Sequence, residues 1–408
     1  MASLSLKDVS KVYLSGAYGL YNVSLEAEDR EFIVVVGNEK CGKSTLLKVI
    51  AGLEESTAGL VFIDGKDMTD VDPKDREIAM VFRQDTLYPA LSVFDNMAFG
   101  LKLRNAPKAL IEQRVKAVAN ILGLNEFLYR KPKVLSSAAR QRVAIGRAMV
   151  REPKLFLFDE PLAGIDENLR RDTLNVIMNV QARMQGTFIY ATKNLSEALT
   201  IGTRLVVMKS GLVQQIDTPA NLYDYPANTY VAFYIGSPTI NFLQNAKVIK
   251  EEEGYFVEFK GGRFALAPET VSRFDKIDEY ADAGKNIILG IRPEDVSTSS
   301  EGVLSVKLGK IESDGGATYA QCDLCGQSII VTHQSQEKQG DEVKLSVDLT
   351  RLYIFDSETR LTLLSRDAGY KNTGHKDADF VPLPYDEEQA IIEKMKPVKK
   401  EEPKKKLR

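Results

Sequence analysis

Short apolar runs alternate with longer helical patterns along the first 235 residues. Four runs have the length and composition of buried strands: Glu31–Val36, Lys154–Phe158, Thr187–Ala191 and Arg204–Met208. The spacing of apolar positions predicts helices over Lys108–Leu122 and Asn168–Met184. Strands that alternate with helices are typical of an α/β domain with a mainly parallel sheet, which we predict for residues 1–235.

The pattern changes after the break at Gly236-Ser237-Pro238. Short alternating runs separated by turn residues follow: Tyr255–Phe259, Asn286–Ile291, Leu304–Leu308, Ser328–Val331 and Glu342–Val347. They predict a small β-barrel or sandwich over residues 236–366. Residues 367–408 are polar and end in KPVKKEEPKKKLR, so we expect a disordered tail there.

Composition excludes several classes of protein. The 408 residues carry 54 Lys and Arg against 57 Asp and Glu, which argues against a general nucleic-acid binder. Three cysteines favour a reducing compartment. No run approaches the roughly 20 apolar residues of a membrane span, and we expect no signal peptide. The two histidines are His333 and His375, so the predicted α/β domain works without imidazole.

A phosphate-binding loop is predicted where the first buried strand meets the following helix. The pattern GxxxxGK(S/T) is matched by Gly37, Asn38, Glu39, Lys40, Cys41, Gly42, Lys43, Ser44 and Thr45. Backbone amides at a helix N-terminus bind phosphates, Lys43 would neutralise the β- and γ-phosphates, and Ser44 would ligand Mg²⁺. An ordinary glycine turn is the alternative, but the flanking strand and helix favour nucleotide binding.

Two carboxylates follow the apolar strand Lys154–Phe158. Asp159 would hold Mg²⁺ through water, and Glu160 would orient or deprotonate the attacking water. A strand followed by an acidic turn before Pro161 is the alternative. The phosphate loop upstream favours the catalytic interpretation, with Ser44 and Asp159 as the metal site.

Several further segments resemble ABC transporter ATPases. LSSAARQRVAIGRA (135–148) resembles the family's LSGGQ signature, PKLFLFDEPLAGID (153–166) its Walker B motif and D-loop, and VFRQDTLYP (81–89) its Q-loop. GSPTINFL (236–243), GIRPEDV (290–296) and LYIFDSETRLTL (352–363) resemble the OB-like regulatory domain of carbohydrate-importer ATPases of the maltose and glycerol-phosphate type. The resemblance covers residues 3–365 and implies an α/β ABC domain followed by that β-rich domain.

The resemblance also implies ligands and partners. Each ATP, with Mg²⁺, would lie between the phosphate loop of one subunit and the signature segment of a second ATPase subunit. In this chain the signature segment is Ser136, Ser137 and Ala138, and Asp166 is the D-loop residue at the same interface. Tyr13 would stack on adenine. The segment Leu87–Phe99 would receive a coupling helix from one of two transmembrane permease subunits. An extracytoplasmic solute-binding protein would act indirectly, and the chain would work at the cytoplasmic face of the membrane.

Two departures from the family pattern affect catalysis directly. LSSAA replaces LSGGQ, so side chains on Ser137 and Ala138 should crowd the γ-phosphate bound by the partner. Lys193 stands where the family has its switch histidine, and an ammonium lacks the planar geometry and near-neutral pKa of imidazole. Losing one positioned catalytic group typically costs on the order of 10²–10⁴ in rate.

Two more departures affect nucleotide contacts. Arg83 occupies the Q-loop glutamine position, although a one-residue slip would place Gln84 there; arginine cannot ligand Mg²⁺. Glu39 and Lys40 replace the family's Ser-Gly, but the loop's glycines and Lys43 remain, so nucleotide binding should survive.

These features favour a degenerate importer subunit for a carbohydrate or related solute. It would bind ATP, hydrolyse it weakly with Glu160 and Lys193 as its catalytic candidates, and depend on a consensus partner, so a heterodimer is favoured over a homodimer. The alternatives are a working ATPase with drifted motifs and a non-hydrolysing regulatory or scaffold subunit that binds ATP and a signalling protein.

Overall fold

A computed structural model describes residues 3–83, 87–299, 302–314, 316–334, 337–366, 370 and 381–396. Of these, the residues up to Pro219 and from Ile392 onward form one compact unit, and those from Ala220 to Ile391 form a second. The second unit therefore includes Gly236, the predicted start of the β-rich domain, together with the short helices before it. Within that unit the buried Arg292 donates hydrogen bonds to the carbonyls of Ala232 and Ile235.

Among the residues described before Pro219, the first unit contains ten strands and six α-helices. The strands are β1 (Leu4–Val12), β2 (Tyr18–Ala27), β3 (Phe32–Val36), β4 (Ala58–Ile63), β5 (Lys66–Asp67), β6 (Ile78–Val81), β7 (Leu155–Asp159), β8 (Thr187–Thr192), β9 (Arg204–Lys209) and β10 (Leu212–Asp217). The helices are α1 (Lys43–Ala51), α2 (Val93–Leu103), α3 (Lys108–Ile121), α4 (Ser137–Met149), α5 (Glu167–Met184) and α6 (Leu195–Ile201). The four predicted strands and two predicted helices are confirmed, with ends shifted by one residue at most.

A six-stranded sheet in the order β10-β9-β3-β8-β7-β6 forms the centre of this unit. It is parallel except for β10, which runs antiparallel to β9. Every residue of β3, β7 and β8 is buried, as their continuous apolar sequences require. Since Val36 pairs with Thr192, and Asp159 with Ala191, the carboxyl ends of three adjacent strands lie side by side.

Further layers complete the first unit. A smaller antiparallel sheet has the order β2-β1-β4-β5. Helices α2, α3 and α4 pack against one another, and α4 also contacts β6. The predicted α/β fold with a mainly parallel core sheet is confirmed.

The second unit is mainly β-structure. Its strands are β11 (Asn241–Glu251), β12 (Gly254–Phe259), β13 (Gly262–Leu266), β14 (Asn286–Ile291), β15 (Val296–Thr298), β16 (Leu304–Asp314), β17 (Ala317–Leu324), β18 (Gln327–Thr332), β19 (Glu342–Val347) and β20 (Tyr353–Asp356). Its short helices are α7 (Pro219–Asp224), which starts at the boundary residue, α8 (Thr229–Tyr234), α9 (Pro268–Val271) and α10 (Ile277–Ala283).

Two β-assemblies share the core of this unit. Strands β15-β18-β17-β16-β19 close into a barrel, and β13-β12-β11-β14-β20 form a five-stranded sheet. Alternate residues along the strands point inward; in β17, for example, Ala320, Cys322 and Leu324 are buried. The sequence did not distinguish a small barrel from a sandwich. The closed barrel supports the OB-like architecture.

The tail contains one element that composition did not predict. Helix α11 (Tyr385–Lys394) lies in the segment expected to be disordered, so that expectation is wrong for these residues. Glu388 and Met395 are buried, which gives the helix and the residue after it packing contacts that a Lys-rich composition does not reveal. Residues 371–380 and 397–408 lie outside the described part of the chain.

Candidate functional site

The predicted phosphate loop connects β3 to α1, and the backbone geometry requires glycine at both glycine positions of the motif. Gly37 has φ 153°, and a Cβ there would lie 2.2 Å from the carbonyl oxygen of Met208. Gly42 has φ 108° and precedes the first turn of α1, where a Cβ would lie 2.6 Å from the carbonyl oxygen of Gly19. Only glycine fits both positions, and the first amides of α1 are left without intrahelical partners.

Lys43 is folded back into its own loop. Its side chain is buried, and Nζ donates hydrogen bonds to the carbonyls of Gly37 at 2.8 Å and Asn38 at 2.9 Å. An ammonium held in this way adds positive charge beside the amides at the start of α1. The loop therefore fits a bound polyphosphate.

Ser44 and Asp159, predicted as the metal site, are in contact. The Ser44 hydroxyl donates a 2.7 Å hydrogen bond to Oδ1 of Asp159, whose strand runs beside β8. No group of three or more His, Cys, Asp or Glu side chains within the described ranges is arranged to hold a metal. Two oxygen ligands fit Mg²⁺, which takes most of its ligands from water and nucleotide phosphates.

Glu160 follows β7 in a strained backbone conformation. Its φ is 46°, unusual for a residue with a side chain, and its amide donates to the carbonyl of Ala191 at 2.9 Å. The carboxylate lies between two cations, with Oε1 4.0 Å from Nζ of Lys43 and Oε2 3.5 Å from Nη1 of Arg83. Oε2 is buried and accepts no hydrogen bond from the described residues, so it is placed to accept one from a ligand.

Lys193 lies directly after β8 and reaches the phosphate loop. Its Nζ is 2.7 Å from Oε1 of Glu39, so two residues that depart from the family pattern form an ion pair. Lys40, the other loop substitution, has φ 63°, a backbone conformation that explains the family's glycine there.

Glu197 in α6 anchors the end of β8, directly before Lys193. It was not predicted from the sequence as a site residue. Its Oε2 accepts hydrogen bonds from the hydroxyls of Thr192 at 2.8 Å and Tyr190 at 3.0 Å, and Nε of Arg170 lies 3.6 Å from Oε1. Burial is the largest cause that raises the pKa of Tyr190, and the charge of Glu197 adds to it. The signal in the sequence is Asn194 three residues before Glu197, a helix-start pattern in which Asn194 caps the Glu197 amide.

The phosphate loop and the carboxylates at the end of β7 line an open cleft of about 500 Å³. Its lining residues are Tyr13, Ala17, Tyr18, Gly19, Glu39, Lys40, Cys41, Gly42, Lys43, Ser44, Thr45, Arg83, Asp159 and Glu160. The Tyr13 hydroxyl is 2.9 Å from that of Thr45, and Nζ of Lys11 lies 5.5 Å from the centre of the Tyr13 ring. A purine stacked on Tyr13 would therefore use the ring face away from Lys11.

The signature segment lies apart from this cleft. Ser136, Ser137, Ala138 and Asp166 are not among its lining residues. The Ser136 hydroxyl caps α4 by accepting from the Ala139 amide at 3.2 Å. Ala138 is buried at 3% exposure, so its methyl group packs inside the unit, and of the two added side chains only Ser137 is partly exposed. Gln84, the alternative Q-loop residue, lies outside the described part of the chain.

A second cavity, of about 340 Å³, lies between β6, α2 and α4. Its lining residues include Phe82, Asn96, Phe99, Arg104, Arg147 and Arg151. From the predicted groove segment Leu87–Phe99 it takes Asn96 and Phe99, and the rings of Tyr88 and Phe99 are tilted, with centres 4.5 Å apart. The cavity is thus lined by the aromatic rings of Phe82 and Phe99 together with the arginines Arg104, Arg147 and Arg151.

The glycine-restricted loop, its buried lysine and the linked Ser44 and Asp159 define a P-loop nucleotide-binding protein. Comparison with known families gives two matches: the ABC transporter family over residues 20–163 and the MalK OB fold domain over residues 236–296. A solved structure of cbiO1 from Clostridium perfringens, part of the ABC transporter complex cbiONQ, matches 54% of this chain and 90% of that chain, with TM-score 0.51 and 25% identity.

Two curated relatives resemble the chain over most of its length. The oligosaccharides import ATP-binding protein MsmX of Bacillus subtilis is 42% identical, over 89% of this chain and 100% of that protein. The trehalose/maltose import ATP-binding protein MalK of Thermococcus litoralis is 40% identical, over 88% and 99%. The chain belongs to the ABC transporter ATP-binding proteins that carry a MalK-type OB-fold domain. Within its described part, no helix is long and apolar enough to cross a membrane.

Proposed function

We propose that this protein is the ATP-binding subunit of an ABC importer for a carbohydrate or a related solute. The observation that carries the proposal is the linked Ser44 and Asp159 beside the buried Lys43, a constellation suited to a magnesium-bound nucleotide. The printed functions of MsmX and MalK support a sugar as the cargo class.

The chain's own residues divide the work of nucleotide binding. The amides of the loop and Nζ of Lys43 hold the phosphates, Ser44 and Asp159 hold Mg²⁺, and the free face of Tyr13 carries the purine. Mg²⁺ supplies charge neutralisation on the phosphates when bound. Glu160 orients the attacking water through its carboxylate.

Hydrolysis by this subunit alone is proposed to be weak. Arg83 lies against the carboxylate oxygen of Glu160 that a water would need, at 3.5 Å. Lys193, at the switch position, is engaged with Glu39 at 2.7 Å. Both groups expected to contact the reacting water or phosphate are therefore paired with other side chains, and each must be released before it can act.

The proposed assembly supplies what the chain lacks. A second ATPase subunit with consensus motifs would donate its signature segment to the cleft of this chain, and Ser136–Ala138 of this chain would face the partner's nucleotide. The second cavity, lined by Phe99 and three arginines, would receive a coupling helix from one of two permease subunits. The complex would lie at the cytoplasmic face of the membrane and serve an extracytoplasmic solute-binding protein; no nucleic-acid partner is proposed.

Turnover measurements test the proposal. The purified chain and its Glu160→Gln variant are assayed for phosphate release and for binding of trinitrophenyl-ATP, with and without a consensus partner ATPase. We expect nucleotide binding by both, little turnover alone, and turnover with the partner. An ordinary family rate for the chain alone, abolished by Glu160→Gln, would show a complete motor. Binding without turnover even beside the partner would favour the regulatory or scaffold subunit.

A further inference from the structure

Two residues that depart from the family pattern contact each other across the mouth of the phosphate loop. Glu39 belongs to that loop and Lys193 to the segment after β8, and their charged atoms are 2.7 Å apart. The family has serine and histidine at these positions, which form no such pair. The two substitutions are therefore complementary: each residue neutralises the charge that the other introduces.

Glu39 brings negative charge into a cleft built for anions. It lines the cleft together with Lys43 and Arg83. Its pKa is lowered, first by the hydrogen bond and charge of Lys193 and further by the charges of Arg83 and Lys43. The carboxylate is therefore ionised at neutral pH and interacts with the same cations that nucleotide phosphates would use.

We propose that Glu39 is a specificity-determining residue that lowers the affinity of this site for nucleoside triphosphate relative to diphosphate, and that Lys193 offsets part of that effect. The inference rests on the proposed nucleotide site. The terminal phosphate adds the charge that lies closest to the loop lysine, so it meets the repulsion of Glu39 most strongly. It can recruit Lys193 only by weakening the pair with Glu39.

The size of the effect follows from exposure. The side chains of Glu39 and Lys193 are 67% and 49% exposed, so water and salt screen both the pair and the repulsion. We expect a change of about twofold to fivefold in relative affinity, which shrinks as the salt concentration rises. A neutral residue at position 39 removes both the repulsion and the ion pair with Lys193.

The test compares dissociation constants for ATP and ADP, both with Mg²⁺, by competition with trinitrophenyl-ATP in a Glu160→Gln background that prevents turnover. Glu39→Ser and Glu39→Gln should each lower the ratio of the ATP to the ADP dissociation constant by about twofold to fivefold. The glutamine variant keeps the shape of the side chain, so it separates charge from space and serves where serine perturbs folding.

Two further variants isolate the pair. Lys193→Ser should raise the ratio, because Glu39 is then uncompensated, and the effects of Glu39→Ser and Lys193→Ser should be non-additive. Glu112→Ser removes a comparably exposed carboxylate whose partner is Lys116 on α3, at 3.2 Å, and should leave the ratio unchanged.

The outcomes separate this inference from the proposed function. A ratio unchanged in both Glu39 variants, or equal shifts in both dissociation constants, overturns the role of Glu39 while leaving the nucleotide site intact. Failure of the unsubstituted protein to bind either nucleotide overturns the proposed nucleotide site itself.

Discussion

Nη1 of Arg83 lies 3.5 Å from Oε2 of Glu160, although the two residues are 77 positions apart in the sequence. The side chain of Glu160 is only 12% exposed, while that of Arg83 is 59% exposed. The arginine thus lies beside a buried carboxylate oxygen that accepts no hydrogen bond from the described residues. This contact turns the Q-loop substitution into a direct effect on the proposed catalytic carboxylate.

Replacing Arg83 with glutamine should raise ATP turnover by on the order of 10-fold, because it uncovers Glu160 and restores a side chain that can ligand Mg²⁺. Steady-state phosphate release in the presence of a consensus partner measures this. Arg83→Lys keeps the charge near Glu160 and should show little gain. Equal rates for Arg83→Gln and the unsubstituted chain would mean that the contact does not limit hydrolysis.

A buried ion pair joins Glu31, the residue before β3, to Arg204, the first residue of β9. Nε of Arg204 is 2.5 Å from Oε1 of Glu31 and Nη2 is 3.0 Å from Oε2, with both side chains under 10% exposed. Glu31→Ala removes a charge partner of the buried guanidinium, so we expect the free energy of unfolding of the first unit to fall by about 3–5 kcal/mol. Urea unfolding followed by circular dichroism measures the loss.

The double variant Glu31→Met with Arg204→Met is the control for that loss. It removes both charges and should be less destabilised than Glu31→Ala. If the double variant is the less stable of the two, the pair contributes through its geometry rather than through the cost of an unpaired charge.

Asp295 should make the stability of the second unit depend on pH. Burial raises its pKa from 3.8 to about 6, although the Arg351 guanidinium, 3.3 Å away, acts in the opposite direction. The folded state therefore holds this proton more tightly than the unfolded state. Stability from this group is greatest below about pH 4 and falls as the pH rises through about 6, by about 1–2 kcal/mol after screening.

Asp295→Asn should remove this dependence of the second unit's stability on pH. Hydrogen–deuterium exchange of peptides from β14 and β15, compared between variant and parent at each pH, should show the variant gaining protection relative to the parent from pH 4 to pH 6. A difference that is constant over that range would place the titration elsewhere.

Met395 ties the end of the described chain to the edge of the nucleotide cleft. Its side chain is 7% exposed, its carbonyl accepts a hydrogen bond from the Tyr18 amide at 3.1 Å, and its Cε lies 2.8 Å from where a Cβ on Gly211 would be. Met395→Ala should weaken this docking by about 1–3 kcal/mol, less than in a closed core because the segment can detach as a whole.

Faster hydrogen exchange at the Tyr18 amide would record that loss. Lys396→Ala, at an exposed neighbour of Met395, is the matched control and should leave exchange unchanged. Protection of Tyr18 that survives Met395→Ala would show that the backbone hydrogen bond alone holds the segment.

Much of the fold was predictable because the signals are local. The strands β3, β7, β8 and β9 are continuous apolar runs, and a parallel sheet buried on both faces requires such runs. The contacts of Arg292 with Ala232 and Ile235, about 60 residues earlier, were not predictable, because hydrogen bonds between distant residues leave no local pattern in the sequence. Helix α11 was missed because the charged residues around it masked a short packed segment.

The sequence by itself determined the identity of the phosphate loop and of the carboxylates after β7. Both are contiguous motifs in which residue type and spacing state the chemistry, and the element order follows from hydrophobic periodicity. It also showed that Glu39, Arg83 and Lys193 depart from the family pattern, but as separate substitutions.

Only the tertiary structure decided which charged residues these three substituted residues contact. The parallel sheet brings the ends of β3, β7 and β8 together, so that Glu39 meets Lys193 across 154 positions and Arg83 meets Glu160 across 77. Electrostatic pairing depends on distances of a few ångströms between side-chain atoms. Sequence spacing does not contain those distances, and the packing of the strands sets them.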